Sequence, residues 1–267
     1  MEAKVALVTG ASSGFGKLTA EQLAAEGYRV FGTSRKPRSH QAIEMLQLDV
    51  QSDPSVEACM AELMTRARRI DLLVNNAGQI HASVIEETAL AVARDVFETN
   101  FWGVARVTKA VLPVMRRQKS GHIINVGSLA GLIGVPGQGF YSASKFALEG
   151  YSETLAIELA PFGIRVSLVE PGFFRTSLHE AMPSSSRAIG DYDAIRTGIQ
   201  QSIARSIEGG DDPVKVARAI VSVAKSRDGR LRHRVGEDAR WVPRFKSILP
   251  ERFFRRAILR RFSVDRA

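Results

Sequence analysis

The sequence predicts an α/β protein in which one parallel sheet of about seven strands is doubly wound, with helices on both faces. Short apolar runs alternate with longer amphipathic runs along most of the chain, which is the pattern of consecutive strand–helix units. The first run, Val5–Val8, is apolar at every position, as is typical of parallel strands that are covered on both sides. No linker or internal repeat interrupts the alternation, so we predict a single domain over residues 1–267.

The elements follow from local signals taken in chain order. After the first strand, a glycine-rich turn opens an amphipathic helix through Leu18, Leu23 and Ala24. Asp53-Pro54 favours a helix start, because the first turn of a helix does not use the N–H that proline lacks. The predicted strands are 5–8, 28–33, 44–48, 71–74, 122–126, 165–169 and 232–235, and the later helices are 53–68, 95–117, one that carries Tyr141, 214–225 and 251–262.

Composition narrows the class of protein. The chain has 267 residues, of which 45% are hydrophobic, enough for a sizeable core. Cys59 is the one cysteine in the sequence, so an internal disulfide is excluded and a reducing compartment is favoured. The N-terminus runs straight into a strand pattern without a signal peptide, and we expect a cytoplasmic protein.

The net charge of +9 is concentrated at the C-terminal end. Residues 227–267 contain 12 Arg and 1 Lys against 5 acidic residues, a net charge of +8, so the remaining chain is almost neutral. A basic groove across the domain is therefore not supported, and we expect no nucleic-acid partner. We define a basic C-terminal extension over residues 238–267.

The turn after the first strand has the spacing Gly-x-x-x-Gly-x-Gly. Glycines let the backbone approach a pyrophosphate, while the N-terminus of the following helix supplies N–H groups and a favourable dipole. The alternative is a tight turn that binds nothing, and we favour a dinucleotide site because of the strand–turn–helix context. The candidate residues are Gly10, Ser12, Ser13, Gly14, Phe15 and Gly16.

The second strand ends in Ser34 and Arg35 where NAD-binding sites often carry an acidic residue. An acid at this place would bind the adenosine ribose hydroxyls, whereas an arginine can receive the additional phosphate of NADP. Arg35 therefore predicts NADP(H), although a solvated surface arginine is the simpler alternative.

Tyr141 and Lys145 are four residues apart on a predicted helix, so both side chains leave the same face. A free phenol, with a pKa of about 10, is a poor proton donor or acceptor at neutral pH. A neighbouring ammonium group favours the phenolate, and we expect Lys145 to lower the pKa of Tyr141. The pair predicts an acid/base catalyst.

Several motifs in order resemble the short-chain dehydrogenase/reductase family. The resemblance covers residues 4–176 by motif and rests on the glycine loop, Asp49, the run 75–78, Asn100, Ser128, Tyr141 with Lys145, and Pro171-Gly172 with Thr176. Within the family, the chain looks most similar to the branch of 17β-hydroxysteroid, retinol and acyl-dihydroxyacetone-phosphate reductases. The family pattern implies one Rossmann-type nucleotide-binding domain and an oxidoreductase that uses NADP(H).

The resemblance also implies a role for each motif residue. Tyr141 would exchange a proton with the substrate oxygen, Ser128 would hydrogen-bond that oxygen, and Lys145 would hold the nicotinamide ribose. Asn100 would position a water that links Lys145 to solvent. Taken singly, Ser128 is equally well a backbone cap and Asn100 a core amide, but together the family positions favour catalysis. The remaining implied cofactor residues are Asp49, Val50, Asn76, Ala77, Gly78, Pro171, Gly172 and Thr176, and no metal site is expected.

The substrate side is predicted to be apolar, with residues 173–210 as a lid. Leu129, Ile133 and Val135 would form part of its wall, which favours a lipophilic alcohol or carbonyl compound. We expect His81 to face water rather than substrate. A non-catalytic NADP-binding sensor or scaffold is the alternative function, and it is disfavoured because both Tyr141 and Lys145 are present.

The last predicted helix, 251–262, carries Phe254, Ile258 and Phe262 along one stripe, with arginines on the opposite side. One interpretation is weak peripheral contact with anionic lipid. The other, which we favour, is that the stripe packs on its own domain or on a neighbouring subunit. We expect a homodimer or homotetramer that acts on a small lipophilic molecule.

Overall fold

Seven parallel strands form one sheet within residues 3–175 and 188–264, the part of the chain that the computed structural model describes. Residues 176–187, which include Thr176 and part of the predicted lid, lie outside the described residues. The predicted strands are confirmed, with bounds within two residues of those expected. The strands are β1 (Val5–Val8), β2 (Arg29–Ser34), β3 (Glu44–Gln47), β4 (Leu72–Asn75), β5 (Gly121–Val126), β6 (Ile164–Pro171) and β7 (Arg232–Val235).

The strand order is β3-β2-β1-β4-β5-β6-β7, with every neighbouring pair parallel. The chain therefore starts in the middle of the sheet, builds outward to β3, and then returns to the other side of β1. The loops after β1 and β4 lead in opposite directions, which opens a crevice at the carboxyl ends of the strands.

Helices cover both faces of the sheet, as the sequence predicts. Val111 and Leu73 belong to the buried cluster on one face, while Ile220 and Val74 belong to the cluster on the other. Leu73 and Val74 are neighbours in β4, and adjacent strand residues point to opposite faces. The helices are α1 (Gly14–Ala25), α2 (Asp53–Ala67), α3 (Leu90–Phe97), α4 (Gly103–Gln118), α5 (Gly139–Leu159), α6 (Asp193–Glu208), α7 (Val214–Lys225), α8 (Glu237–Ile248) and α9 (Glu251–Arg261).

The predicted helix 95–117 is wrong as a single regular element. The structure divides it into α3 and α4, joined by a π-helical turn at Glu98–Trp102. This wider turn contains Asn100, whose side chain hydrogen-bonds both backbone groups of Gln79. Hydrophobic spacing does not reveal the extra residue, because the apolar positions continue on both sides of the turn. Such π turns occur frequently at functional sites.

Helix α6 lies inside the predicted lid, where the sequence analysis predicted no helix. Arg196 of α6 forms a bidentate ion pair with Glu87, a carboxylate that is 2% exposed. The backbone N–H of Ile189 donates to the same carboxylate at 2.8 Å. The hydrogen bonds from Arg196, followed by that of Ile189, lower the pKa of Glu87. This part of the predicted lid is thus tied to the segment that follows β4.

The apolar stripe of α9 packs against its own domain, which is one of the two arrangements expected from the sequence. Phe262 is buried, and Phe254 and Ile258 pack on the same cluster as Ile199 and Ile203 of α6. Among residues 3–175 and 188–264, no helix combines the length and apolar character needed to cross a bilayer.

The turn between β1 and α1 is pressed against the end of β4. Gly10 has a φ of +67°, and a Cβ there would lie 2.9 Å from Ala77 Cα. A Cβ on Gly16 would lie 2.2 Å from the carbonyl oxygen of Gly10 and 2.3 Å from Asn76 Nδ2. Glycine at position 16 is therefore required by close backbone packing.

We predict that Gly16→Ala destabilises the protein by about 1–3 kcal/mol, because the new methyl group must displace the Gly10 backbone or Asn76. Thermal unfolding measures the change. Gly150→Ala is the matched control, since a Cβ at this exposed α5 position meets nothing within 4 Å. The control is expected to be neutral or slightly stabilising. Equal Tm values for Gly16→Ala and the parent would contradict the packing argument.

Candidate active site

A cavity of about 400 Å³ opens at the carboxyl edge of the sheet. It is lined by the loops that follow β1, β2, β3, β4, β5 and β6, so it occupies the crevice created by the strand order. Its lining includes these predicted residues: Gly10, Ser12, Ser13, Gly14, Phe15, Ser34, Arg35, Asp49, Val50, Asn76, Ala77, Gly78, Ser128, Tyr141, Lys145, Pro171 and Gly172.

Gly16 and Asn100 are predicted residues that do not line this cavity, while Thr176 lies outside the described residues. Gly16 supports the loop from behind through the close packing described above. Asn100 is fully buried and acts on the residues that do reach the cavity. The structure therefore brings together one continuous site, with these two residues behind its wall.

The glycine loop presents free backbone groups to the cavity. Ser13, at the start of α1, makes no side-chain cap, and the first turn contains no acidic residue. Gly14 has a φ of +53°, and nothing lies within 4 Å of the place where its Cβ would be. The N–H groups of the first turn are therefore accessible to an anion, which the helix dipole favours.

Thr9 and Asn76 join the ends of β1 and β4. The hydroxyl of Thr9 accepts hydrogen bonds of 3.0 Å from the N–H groups of Asn76 and Ala77. The side-chain amide of Asn76 donates to the carbonyl oxygens of Thr9 and Gly10 at 3.0 and 3.3 Å. Asn76 therefore fixes the glycine loop in place, in addition to lining the cavity.

The end of β2 combines a cation with an unpartnered hydroxyl. Arg35 is exposed at the rim, and Ser34 is 9% exposed beneath it. Within the described residues, Ser34 Oγ has no hydrogen-bond partner. On the neighbouring strand, Asp49 uses Oδ1 to accept the N–H of Gln51 at 3.0 Å, which holds the turn after β3. The end of β2 thus offers the cavity one hydroxyl group and one guanidinium group.

Tyr141 and Lys145 project from α5 into the cavity opposite Ser128, which follows β5. The hydroxyl of Tyr141 hydrogen-bonds the side chain of Ser128. Lys145 Nζ lies 5.8 Å from the centroid of the Tyr141 ring and donates to the carbonyl oxygen of Val126 at 2.8 Å. Ser128 also accepts the N–H of Ala130 at 3.1 Å, so its hydroxyl is oriented by the backbone.

The expected lowering of the Tyr141 pKa by Lys145 is wrong for this structure. Burial disfavours the phenolate and raises the pKa of Tyr141, and the hydrogen bond from Ser128 opposes this only in part. Burial also disfavours the ammonium and lowers the pKa of Lys145 to about 8, although the charge of Glu149 acts in the opposite direction. Desolvation is the largest influence on both pKa values, and the spacing on the helix does not reveal the depth of burial.

Asn100 connects the loop after β4 to α5. Its Oδ1 accepts the N–H of Gln79, and its Nδ2 donates to the Gln79 carbonyl and to Ser144 Oγ at 3.1 Å. Ser144 in turn donates to the Tyr141 carbonyl at 2.7 Å. A Cβ on Gly78 would lie 3.2 Å from Asn100 Oδ1 and 4.0 Å from Lys145 Nζ, so glycine keeps the space between these groups open.

The wall near β6 is closed by the start of α8. Asp238 accepts the N–H of Phe173 at 2.8 Å, and a Cβ on Gly172 would lie 1.8 Å from the same carboxylate. His81, which we expected to face water, is buried at 6% exposure. Its neighbours Ile80 and Ala82 pack on the apolar cluster that contains Tyr141, and this draws the segment inward. Burial lowers the pKa of His81.

A pair of buried carboxyl groups behind Ser128 was missed by the sequence analysis. Glu149 lies one turn beyond Lys145 on α5, and Glu170 is near the end of β6. The two carboxyl groups are within hydrogen-bonding reach of each other. Arg232 Nε donates to Glu149 at 3.0 Å, and Arg234 Nε donates to Glu170 at 3.3 Å. A sequence separation of 21 residues, with the arginines on a third element, gives no local signal for this cluster.

The carboxyl pair retains a proton at pH values where a free glutamate has lost it. Burial, followed by the charge of Glu149, raises the pKa of Glu170 to about 7, while the arginines oppose the shift. Burial likewise raises the pKa of Glu149. Two unprotonated carboxylates so close together would repel each other, so one shared proton stabilises the pair.

We predict that Glu170→Gln changes the pH dependence of stability. In the parent, the unfolded chain loses this proton near pH 4.5 and the folded chain near pH 7, so stability falls as pH rises through that window. The glutamine amide resembles the protonated carboxyl group, so the variant does not lose this stability as the pH rises. The Tm difference between variant and parent should increase in the variant's favour from pH 5 to pH 8. Glu153→Gln, an exposed partner of Arg232, is the control, and parallel curves for Glu170→Gln and parent would contradict the shared proton.

Comparison with known proteins agrees with this geometry. The family model of the short chain dehydrogenases matches residues 4–186. The chain is 39% identical to 3-ketodihydrosphingosine reductase of Bacteroides thetaiotaomicron, over 97% of both proteins. It is 37% identical to retinol dehydrogenase 8 of Bos taurus, over 90% of this chain and 83% of that protein.

Solved structures give the same result. A short-chain dehydrogenase from Streptomyces avermitilis matches with a TM-score of 0.83 at 38% identity, and the match covers 100% of this chain and 98% of that one. A short chain dehydrogenase/reductase from Burkholderia phymatum, in complex with NAD, matches with a TM-score of 0.80 at 25% identity over 92% and 93% of the two chains. The chain therefore belongs to the short-chain dehydrogenase/reductase family of oxidoreductases.

Proposed function

We propose that the protein transfers a hydride between NADP(H) and an alcohol/carbonyl pair of a lipophilic substrate, with Tyr141 as general acid/base. The observation that carries this proposal is the meeting of Tyr141, Ser128 and Lys145 in one cavity at the carboxyl edge of the sheet. A scaffold that only binds the nucleotide would not need an oriented phenol and hydroxyl on the same side of that cavity.

The residues present suit a dinucleotide. The open first turn of α1 would receive the pyrophosphate, and Asp49 and Val50 would flank the adenine. Lys145 would hold the nicotinamide ribose, near the wall formed by Pro171 and Gly172. We propose Thr176 for the same end of the cofactor. When bound, the cofactor supplies or accepts the hydride.

The protein's own residues then handle the proton and the charge. In the reductive direction, Ser128 would donate a hydrogen bond to the carbonyl oxygen and stabilise the negative charge that develops there. Tyr141 would donate its proton to that oxygen, which becomes the hydroxyl of the alcohol, and oxidation would reverse the transfer. The raised pKa of Tyr141 keeps the phenol protonated before the reaction. Lys145 would stabilise the phenolate that remains, and Asn100 would position a water next to Lys145.

The wall beside Tyr141 suits an apolar substrate. Leu129, Ile133 and Val135 are buried in one cluster with Tyr141, and Ile199 of α6 packs on them. The two relatives above are named for a sphingoid ketone and for retinol, both of them lipophilic. We propose residues 173–210 as the lid of this pocket and the whole chain as one domain, located in the cytoplasm.

A homo-oligomer is part of the proposal. Trp102, Phe146 and Ile157 are exposed large apolar side chains on or next to α4 and α5. Packing these helices against a second copy would bury them, since exposed apolar patches mark interaction surfaces. Analytical ultracentrifugation would test this, and a monomer at micromolar concentration would count against it.

We predict that Tyr141→Phe lowers kcat by about 100- to 10,000-fold, because it removes the proton donor and leaves the ring in place. Reduced-nicotinamide absorbance with steroid, retinoid, acyl-lipid and sugar substrates measures turnover. Tyr151→Phe is the matched control, since it makes the same change on the same helix outside the cavity. Coenzyme binding should survive in both variants. Full activity in Tyr141→Phe would eliminate the proposed mechanism and favour the nucleotide-binding scaffold.

We predict that NADPH is preferred to NADH and that Arg35→Ala raises KM for NADPH about tenfold to hundredfold, since an ionic hydrogen bond to phosphate is lost. The KM for NADH should stay nearly unchanged. Arg38→Ala, an exposed arginine outside the cavity lining, is the control. A higher kcat/KM with NADH in the parent would refute the assignment of NADP(H).

A further inference from the structure

The corner between α8 and α9 exposes large apolar side chains. We name as the corner patch the side chains of Trp241, Phe245, Ile248, Leu249 and Phe253, which are between 40% and 77% exposed. Trp241, Phe245 and Ile248 are spaced four and three residues apart, so they share one face of α8, and Leu249 follows directly after the helix. Phe253 continues the patch into α9.

The other side of α8 is already in contact with the domain. Ala239 is fully buried, and Val242 packs on the apolar cluster beside Tyr141. Lys246 donates to the carbonyl oxygen of Leu132 at 2.8 Å. The helix is therefore held in position from inside, while its outer apolar face has no covering element among the described residues. An ordinary surface helix carries only one apolar face.

Cationic side chains lie beside the corner patch. Residues 237–264 contain eight Arg or Lys side chains and three acidic ones. Arg244 lies over the Trp241 ring at 5.1 Å, and Arg252 lies over the Phe253 ring at 4.8 Å. The guanidinium groups therefore lie next to the exposed aromatic rings. In this arrangement the cations can contact anions while the rings are buried in apolar surroundings.

This combination selects one kind of occupant. A second copy of the chain would bring an equally cationic patch against this one, and like charges would repel. A neutral apolar partner would leave the arginines without counter-charges. Aromatic and aliphatic side chains flanked by Arg and Lys match a bilayer with acyl chains beneath anionic headgroups. We infer that the corner patch binds the surface of an anionic lipid membrane.

The inferred surface differs from the one considered in the sequence. The stripe of Phe254, Ile258 and Phe262 packs inward, so it does not provide the contact. Most of the corner patch belongs instead to α8, a helix that hydrophobic spacing did not predict.

Membrane docking would place the cavity next to lipid, and this consequence rests on the proposed lipophilic substrate. Asp238, in the first turn of α8, accepts the Phe173 N–H in the cavity wall, and the later part of the helix contacts the segment after Ser128 through Lys246. A substrate dissolved in the bilayer would then reach the cavity without crossing much water.

Co-sedimentation of the full chain with vesicles tests the inference. We expect binding to phosphatidylcholine vesicles containing about one-third phosphatidylglycerol, and weaker binding to phosphatidylcholine alone or at high salt. The triple variant Trp241→Ser, Phe245→Ser, Ile248→Ser should lower the partition coefficient at least about tenfold, because less apolar surface enters the bilayer. Leu90→Ser, which removes an equally exposed apolar side chain elsewhere, should bind as the parent does.

A second variant separates charge from apolar contact. Arg240→Glu with Arg244→Glu should weaken binding to anionic vesicles about tenfold or more, at roughly fivefold per cation removed from the surface. The control is Arg116→Glu with Arg117→Glu, the same charge change at the exposed end of α4. Coenzyme binding, followed by fluorescence, should be unchanged in all variants, and it establishes that they are folded.

Three results would overturn the inference. The first is a parent protein that does not bind anionic vesicles, and the second is a triple variant that binds as tightly as the parent. The third is evidence that the patch binds something other than a membrane. Such evidence would be a dimer that the triple variant abolishes, or binding to polyglutamate beads, in a protein that does not bind vesicles. Vesicle binding is measured without substrate, so its failure leaves the proposed reaction standing, and inactivity toward lipophilic substrates leaves the membrane result standing.

Discussion

Burial of a phenol and an amine at the end of β5 is the constraint on which the rest of the site depends. Both Tyr141 and Lys145 are less than 10% exposed, and neither can ionise at its ordinary pKa. Their positions are fixed by hydrogen bonds from Ser128 to the phenol and from the amine to the Val126 carbonyl. Asn100 acts on the same helix through Ser144. Desolvation sets the proton affinities, and the surrounding polar groups set the geometry.

The sequence predicted the sheet and most of the site, because their signals are local. Apolar runs such as Val5–Val8 mark buried parallel strands, and the glycine loop marks a close backbone approach that Gly10 and Gly16 then display. Tyr141 and Lys145 are on one helical face because the spacing of four is a property of the helix itself. What these signals predict is which residues lie at the carboxyl edge of the sheet.

The remaining features depend on contacts between distant parts of the chain. At the π turn, the side chain of Asn100 hydrogen-bonds the Gln79 backbone, a contact that no periodicity encodes. The paired carboxyl groups of Glu149 and Glu170 come from a helix and a strand, so their raised pKa values have no sequence signal. The direction of the Tyr141 pKa shift was misjudged for the same reason, since the sequence gives a neighbour's charge but not the degree of burial. Tertiary packing therefore decides the electrostatics of the site.

Burial, rather than attraction between the two groups, controls the proton affinities of Tyr141 and Lys145. The most direct measurement is an NMR titration of the Lys145 side-chain amine in isotopically labelled protein, with the signal assigned by its loss in Lys145→Arg. If burial controls the proton affinity, the pKa of the Lys145 amine is about 8. A value near the ordinary 10.4 of an exposed lysine would contradict it, because the amine would then be solvated or paired well enough to cancel its burial.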